Sequence, residues 1–186
     1  MQSLLSSNHL RERIVDCRDC DLGDRYCSEL RARNIRLTVE YVPQDIVKLL
    51  ILAESPPRSY KFIYDRYSGC PENSLAHRVF ADLGHISSGE TVDDERKEEL
   101  LQKARTGGVL VLDCCHCAVN HLKGKRSGER NQKVASCFER HTSNLLRAIW
   151  EEDHPELWFK FPQKRGKGLL AKLENEYGTG IKRKPW

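Results

Sequence analysis

The chain has no apolar run near the ~18–20 residues that a bilayer span requires, which excludes a helical membrane protein. It also lacks the marks of a secretory signal. MQSLLSSNHLRERIVD carries a short apolar patch, but no basic leader followed by a hydrophobic segment and a small-residue cleavage site. An intracellular, cytoplasmic protein is therefore expected. No Gly-rich phosphate loop follows an apolar strand, which argues against a nucleotide-binding fold of that type. Internal repeats and low-complexity tracts are absent as well.

The 186 residues, against roughly 150 per domain, fit a single domain over 1–186, with residues 1–34 as an N-terminal helix and cysteine segment laid on it. A hydrophobic share of 39%, a charged share of 31% and a mean hydropathy of −0.63 suit a globular chain with a core of its own. The formal charge of +4 is mildly basic and is compatible with a polyanionic partner. Eight cysteines fall short of the ~8–10% that marks a disulfide scaffold. In a reducing compartment, clustered thiols point first to metal ligation or redox chemistry.

Hydrophobic period divides the chain into elements. Leu4 to Val15 reads as a helix, and an irregular stretch with Cys17, Cys20 and Cys27 follows. IRLTVEY, 35–41, alternates as a strand does. Val47 to Ala53 and Val109 to Asp113 read as strands buried on both faces, and Leu157 to Phe161 as another. Between them lie helices: one capped by Asn73 or Ser74 and ended by Gly84, a charged one over 93–104, one with Val134, Cys137, Phe138, His141, Leu145 and Ile149 on its apolar side, and one with Leu169, Leu170, Leu173 and Tyr177. The pattern predicts a three-layer α/β/α domain around a small, mostly parallel sheet. Ligands then belong at the carboxyl ends of the strands, where ESPPRSY and CCHCAVN lie. One more strand is expected after the last helix, so the sheet reads as truncated at the C-terminus or completed by a protein partner.

Cys17-Arg-Asp-Cys20 is a weak motif alone. It gains weight from Cys114-Cys115-His116-Cys117 and from Cys137 at the following helix, because a metal site needs soft ligands converging from fixed backbone positions. Cys114 and Cys137 taken singly read better as small buried hydrophobes. Four thiolates serve Zn²⁺ and an iron–sulfur cluster alike, and spacing does not choose between them. His116 is a reserve ligand.

A C-x-x-C near the N-terminus, L-I-L-A-E-S-P-P ending a buried strand, V-L-V-L-D-C-C-H-C-A-V-N, and K-V-A-S-C-F together resemble the iron–sulfur branch of the uracil-DNA glycosylase superfamily. The similarity runs from about Cys17 to the end of the chain. It implies that Cys17, Cys20, Cys117 and Cys137 hold a [4Fe–4S] cluster, with Zn²⁺ as the alternative and Cys115 as a register neighbour. It implies that Glu54 helps to orient or activate the attacking water. Phe62 or Tyr64 would then stack on an extruded base beside Ser55 and Asp113. Lys123, Lys125, Arg126 and Arg130 form a basic edge for DNA, and a monomeric DNA-binding repair enzyme is the expectation.

The chain departs from that family in three places. Asp113 stands where the family has a base-reading asparagine, and an ionised carboxylate donates no hydrogen bond. Ala53 and Pro57 replace the loop's first and last glycines. The family's histidine-proline-serine motif has no counterpart, since His154-Pro155-Glu156 precedes a strand and reads as a turn. A non-catalytic module on the same scaffold, binding nucleic acid or protein around a metal or cluster, is the alternative. A redox protein built on Cys114, Cys115 and Cys117 is a third.

Overall fold

The computed structural model describes residues 11–12, 14, 25–57, 62–87, 89–119, 122, 124–161 and 166–184. A first helix, α1 (Arg25–Glu40), leads into β1 (Leu49–Ala53); α2 (Leu75–Asp82) and α3 (Asp94–Thr106) carry the chain back to β2 (Val109–Asp113). Next come α4 (Ser127–Cys137), a π-helical turn (Phe138–Thr142) and α5 (Ser143–Asp153), then β3 (Glu156–Lys160), α6 (Lys167–Tyr177) and β4 (Lys182–Arg183). All strand pairs are parallel, in the order β2-β1-β3-β4.

Alternation along the strands feeds two cores. Leu50, Leu52, Leu110, Leu112, Leu157 and Phe159 face Val134, Leu145, Leu146, Ile149, Leu170 and Leu173 from α4, α5 and α6. Ile51, Ala53, Val111 and Trp158 face Val79, Phe80, Leu100 and Leu101 from α2 and α3. Helices thus cover both sides of the sheet, and the three-layer α/β/α architecture read from the sequence is what the chain adopts. The register sets Ala53 level with both Asp113 and Lys160, so the three central strands end together.

Two elements differ from the sequence reading. Residues 35–41 belong largely to α1, not to a strand. The apolar residues there do alternate, but the buried positions of the helix are Arg31, Asn34 and Thr38, spaced three and four apart. A polar buried stripe has no hydrophobic signal, so the weaker strand pattern dominated. The fourth strand comes instead from β4, two exposed residues paired with Trp158 and Phe159 of β3. It follows the last helix, where one more strand was expected. The long helix of 134–149 is present but interrupted by its π turn, which buries Thr142 and leaves His141 half-buried.

Gly166, which precedes α6, has φ +71°, and a Cβ there would lie 2.6 Å from Phe161 Cδ1 and 2.8 Å from Phe159 Cζ. Those two rings stack with centroids 4.1 Å apart and have little room to move. Gly166→Ala combines a left-handed backbone with an overpacked core and is expected to lower unfolding stability by about 2–4 kcal/mol in urea denaturation. A loss under about 0.5 kcal/mol would mean that the α6 entry is not fixed.

Candidate functional site

The ladder between β1 and β2 runs past the strands. Cys114 N–H donates to Ala53 O at 2.7 Å and Cys115 N–H donates to Glu54 O at 3.0 Å. The Glu54 loop and the cysteine loop are therefore held side by side at the carboxyl edge of the sheet, the place that strand topology predicts for a ligand.

Glu54 is buried, and both of its carboxylate oxygens are engaged by an equally buried arginine. Arg130 Nε donates to Oε1 at 2.7 Å and Nη2 to Oε2 at 2.5 Å. Such a fork holds the carboxylate in one orientation and neutralises it. The carboxylate expected to orient water is thus committed to a cation. Arg130, expected on the basic edge, is withdrawn from it because its partner lies inside. The rest of that edge is thin among the described residues: Arg126 forks onto Glu129, and Lys133 lies 3.6 Å from the same carboxylate. Lys123 and the side chain of Lys125 lie outside the described residues.

Asp113 ends β2 and is partly buried, and its main-chain oxygen accepts from Thr142 Oγ1 at 3.3 Å. Burial, then the nearby charges of Cys137 and Glu54, push its carboxyl up to about 8. With Asn34, Thr38, Pro56, Phe62, His116 and the apolar Ile14, Ile35 and Leu112, it lines a cleft. The cavity within it has a volume of about 20 Å³, room for a water molecule and far below the ~300–1,000 Å³ of small-molecule pockets. Asn34 is 4% exposed, and neither its Nδ2 nor its Oδ1 has a hydrogen-bond partner among the described residues. Each such orphan costs about 1–3 kcal/mol in a closed fold. His116 Nδ1 is likewise unpaired, and burial, with His141 and Arg31 nearby, lowers that imidazole to about 4.

The sequence brought Phe62 and Asp113 into one site, and the structure does the same. Phe62 is held there by its loop, whose main chain is gathered by one buried ammonium. Lys97 Nζ donates to Phe62 O at 3.2 Å, Asp65 O at 2.7 Å, Ser68 Oγ at 2.9 Å and Gly69 O at 3.0 Å. Tyr64 is placed elsewhere: it is buried, stacks on Tyr41 with centroids 5.3 Å apart, and exchanges hydrogen bonds with the main chain of Val111. It has no face free for a base. Ser55 does not line the cleft, although its Oγ is buried without a partner among the described residues.

The cysteine loop brings three thiols together. Cys115 Sγ donates to Cys117 O at 3.4 Å, and His116 N–H donates to Cys137 Sγ at 3.4 Å. Hydrogen bonding from Cys115 lowers the Cys117 and Cys137 thiols, to about 6 for Cys117, with Arg31 adding in the same direction, while Cys115 itself is raised. An amide N–H on sulfur and a nearby cation are the surroundings of a stabilised thiolate. Cys117 and Cys137 thus fit half of a four-thiolate set. Cys17 and Cys20 lie outside the described residues, among which no group of three or more His, Cys, Asp or Glu side chains is arranged to hold a metal ion.

Sequence reasoning missed Asn34, Thr38 and Lys97. The first two lay hidden in a stretch read partly as a strand, and Lys97 in a helix whose many charges mask the one that turns inward. Comparison with family models, with curated proteins and with solved structures finds no match to this chain. No helix among the described residues is long and apolar enough to cross a membrane.

Glu54→Leu removes the counter-charge of a buried guanidinium and is expected to lower stability by about 3–5 kcal/mol, whereas adding Arg130→Met recovers most of that loss in a double-mutant cycle with the two single variants. Simple additivity of the two changes would show that the pair is not formed. Asp113 gives a second prediction. Its proton is kept in the folded state but released by the unfolded chain from about pH 4, so stability is full below that pH and falls as pH rises toward 8. Melting temperatures from pH 5 to pH 8 should decline less in Asp113→Asn than in the parent. Equal slopes would mean that Asp113 is ionised in the fold.

Proposed function

We propose that the protein binds DNA as a monomer and hydrolyses the N-glycosidic bond of a damaged or deaminated base received at the end of β2, where the small cleft widens to admit it. The observation that carries this reading is the convergence, in one cleft at the carboxyl edge of a parallel sheet, of an aromatic ring, a carboxyl group and a buried amide without a partner of its own: Phe62, Asp113 and Asn34. Base excision needs these three kinds of group: a surface against which the extruded base rests, polar atoms that read its edge, and charge stabilisation at the breaking bond. As the bond breaks, the base departs with the electron pair and takes up a proton, while water adds its oxygen to the sugar carbon. Asp113, not Glu54, is the carboxyl group at the cleft and takes the role of orienting that water. The resemblance to the uracil-DNA glycosylase superfamily supports the same reading.

In this reading Cys17, Cys20, Cys117 and Cys137 hold a [4Fe–4S] cluster, with Zn²⁺ as the alternative. The lowered Cys117 and Cys137 thiols and the His116 amide on the Cys137 sulfur suit such ligation. Bound there, the group would tie the N-terminal segment to the strand-end loop and contribute to folding.

The buried Glu54–Arg130 fork favours a second reading, in which the same scaffold is a non-catalytic nucleic-acid- or protein-binding module. Oligonucleotides carrying deaminated bases distinguish the two. The first reading expects base release that falls about 100-fold or more in Asp113→Asn, with salt-dependent DNA binding changed by no more than about twofold. Intact DNA binding without release from any lesion selects the second. Anaerobically purified protein is expected to contain iron and sulfide and to absorb broadly near ~400 nm; zinc alone would count for the module.

A further inference from the structure

We infer that the cavity at the end of β2 is the binding site of one ordered water molecule, held by the Asn34 amide and the His116 imidazole beside Asp113, and that this is the water consumed in hydrolysis. The second half of the inference rests on the base-excision reading; the first half does not. Buried polar atoms from two distant segments share one small space. Asn34 sits within α1, is 4% exposed, and has neither amide atom paired among the described residues. His116, in the cysteine loop, is buried with its Nδ1 unpaired among them. Both line the same cavity as Asp113. Buried polar groups in folded proteins are nearly always paired, with protein or with ordered water. The helix of Asn34 does not supply the partner: Thr38 Oγ1, one turn on, donates to the main-chain oxygen of Asn34 at 2.9 Å and not to its amide.

Size selects the occupant. The cavity measures about 20 Å³, above the ~10–15 Å³ that one water needs and too little for an organic ring. Chemistry selects it too, because apolar cavities stay dry whereas a buried water requires about two to four polar partners. Asn34 donates through Nδ2 and accepts through Oδ1, and His116 Nδ1 does one or the other according to its tautomer. A water donates and accepts, so it suits every combination. A bare cation is disfavoured because the charge of Arg31 already bears on His116, and an anion because Asp113 lines the same space. Ile14, Ile35 and Leu112 form apolar walls around the polar groups.

A water fixed there stands where the proposed reaction requires one. Phe62, against which the base rests in that reading, lines the same cavity. The water oxygen bonds to the sugar carbon as the carbon–nitrogen bond breaks, and the electron pair leaves with the base. One proton of the water stays on the new hydroxyl, and the other is given up and balances the proton that the base takes. Holding the water in advance removes the entropy of capturing it at the moment of reaction. Asn34 and His116 are then the residues that hold the nucleophile which Asp113 orients.

The hydration site is read directly in a crystal structure of the full chain at a resolution that places solvent. One water is expected within about 2.6–3.2 Å of an Asn34 amide atom and of His116 Nδ1. In solution, the methyl protons of Ile35 and Leu112 should show NOEs to a long-lived water, and these should vanish in Asn34→Leu, which offers no hydrogen-bonding atom at similar volume. A dry cavity, a different occupant, or NOEs unchanged in Asn34→Leu overturns the site. Base release from oligonucleotides carrying deaminated bases tests the water's role. Asn34→Leu is expected to slow release at least about tenfold, with DNA binding changed by no more than about twofold. His116→Phe, which removes Nδ1 while keeping a flat ring, is expected to do the same, and it replaces Asn34→Leu should that variant not fold. A hydrated cavity with release undiminished in both variants overturns the role in hydrolysis. A hydrated cavity in a protein that releases no base from any lesion sinks the base-excision reading and that role with it, and leaves the water site standing.

Discussion

The parallel register ends β1 and β2 level, and the site is arranged around the two acidic side chains found there, Asp113 at the last position of β2 and Glu54 just past β1. Register places Asp113 beside Ala53, the residue before Glu54, and the continued ladder through Cys114 and Cys115 holds the two loops together. The fold treats them asymmetrically. Glu54 receives a guanidinium, reached from α4 across 76 residues of sequence, whereas Asp113 receives none among the described residues and burial, before any nearby charge, pushes its carboxyl up. The third charge at that edge, Lys160, is neutralised by Asp82 from the opposite helical layer. Asp113 is therefore the carboxyl group at the mouth of the sheet that has no counter-charge among the described residues.

That asymmetry explains how one pair of helices serves both framework and site. The fork fixes α4 against the β1 loop, and the π turn that follows α4 sets Thr142 onto the main chain at the end of β2. The same stretch carries Cys137, whose sulfur receives the His116 amide. A shift of α4 would disturb the ion pair, the cysteine loop and the end of β2 together. Structural and chemical roles coincide because all three contacts converge on strand ends that the parallel ladder has already fixed.

The fold was largely legible because its signal is apolar. The strands at 49–53 and 109–113 are continuous runs buried on both faces, and the Ser74 and Asp93 caps mark helix starts whose side chains accept from His77 and Arg96 N–H. The site was legible only where it lies on those strands. Asp113 and Phe62 follow from position along the chain, whereas the Glu54–Arg130 contact does not, because nothing local in a basic loop tells an inward arginine from a phosphate-facing one. The helix at 25–40 was misread for a related reason: its inward positions are Arg31, Asn34 and Thr38, the kinds of residue that hydrophobic periodicity counts as outward.

This last point bears on what the molecule does. A helix that covers a sheet face can satisfy its packing with leucine and valine, and α4, α5 and α6 do so. Polar side chains on the inner face of α1 give up apolar contact and bring buried hydrogen-bonding groups, which destabilise unless they are matched. Arg31 answers part of this by its place beside the Cys117 thiol, and Thr38 by its bond to the main chain. Asn34 has no such answer among the described residues, and it lies between them, facing the cleft that Asp113 and Phe62 share. Local sequence preferences in a stable fold agree with its packing, and they fail where a site requires otherwise. On that ground the misread helix and the unpaired amide are one observation: α1 departs from the hydrophobic rule where its inner face lines the cleft that Asp113 and Phe62 share.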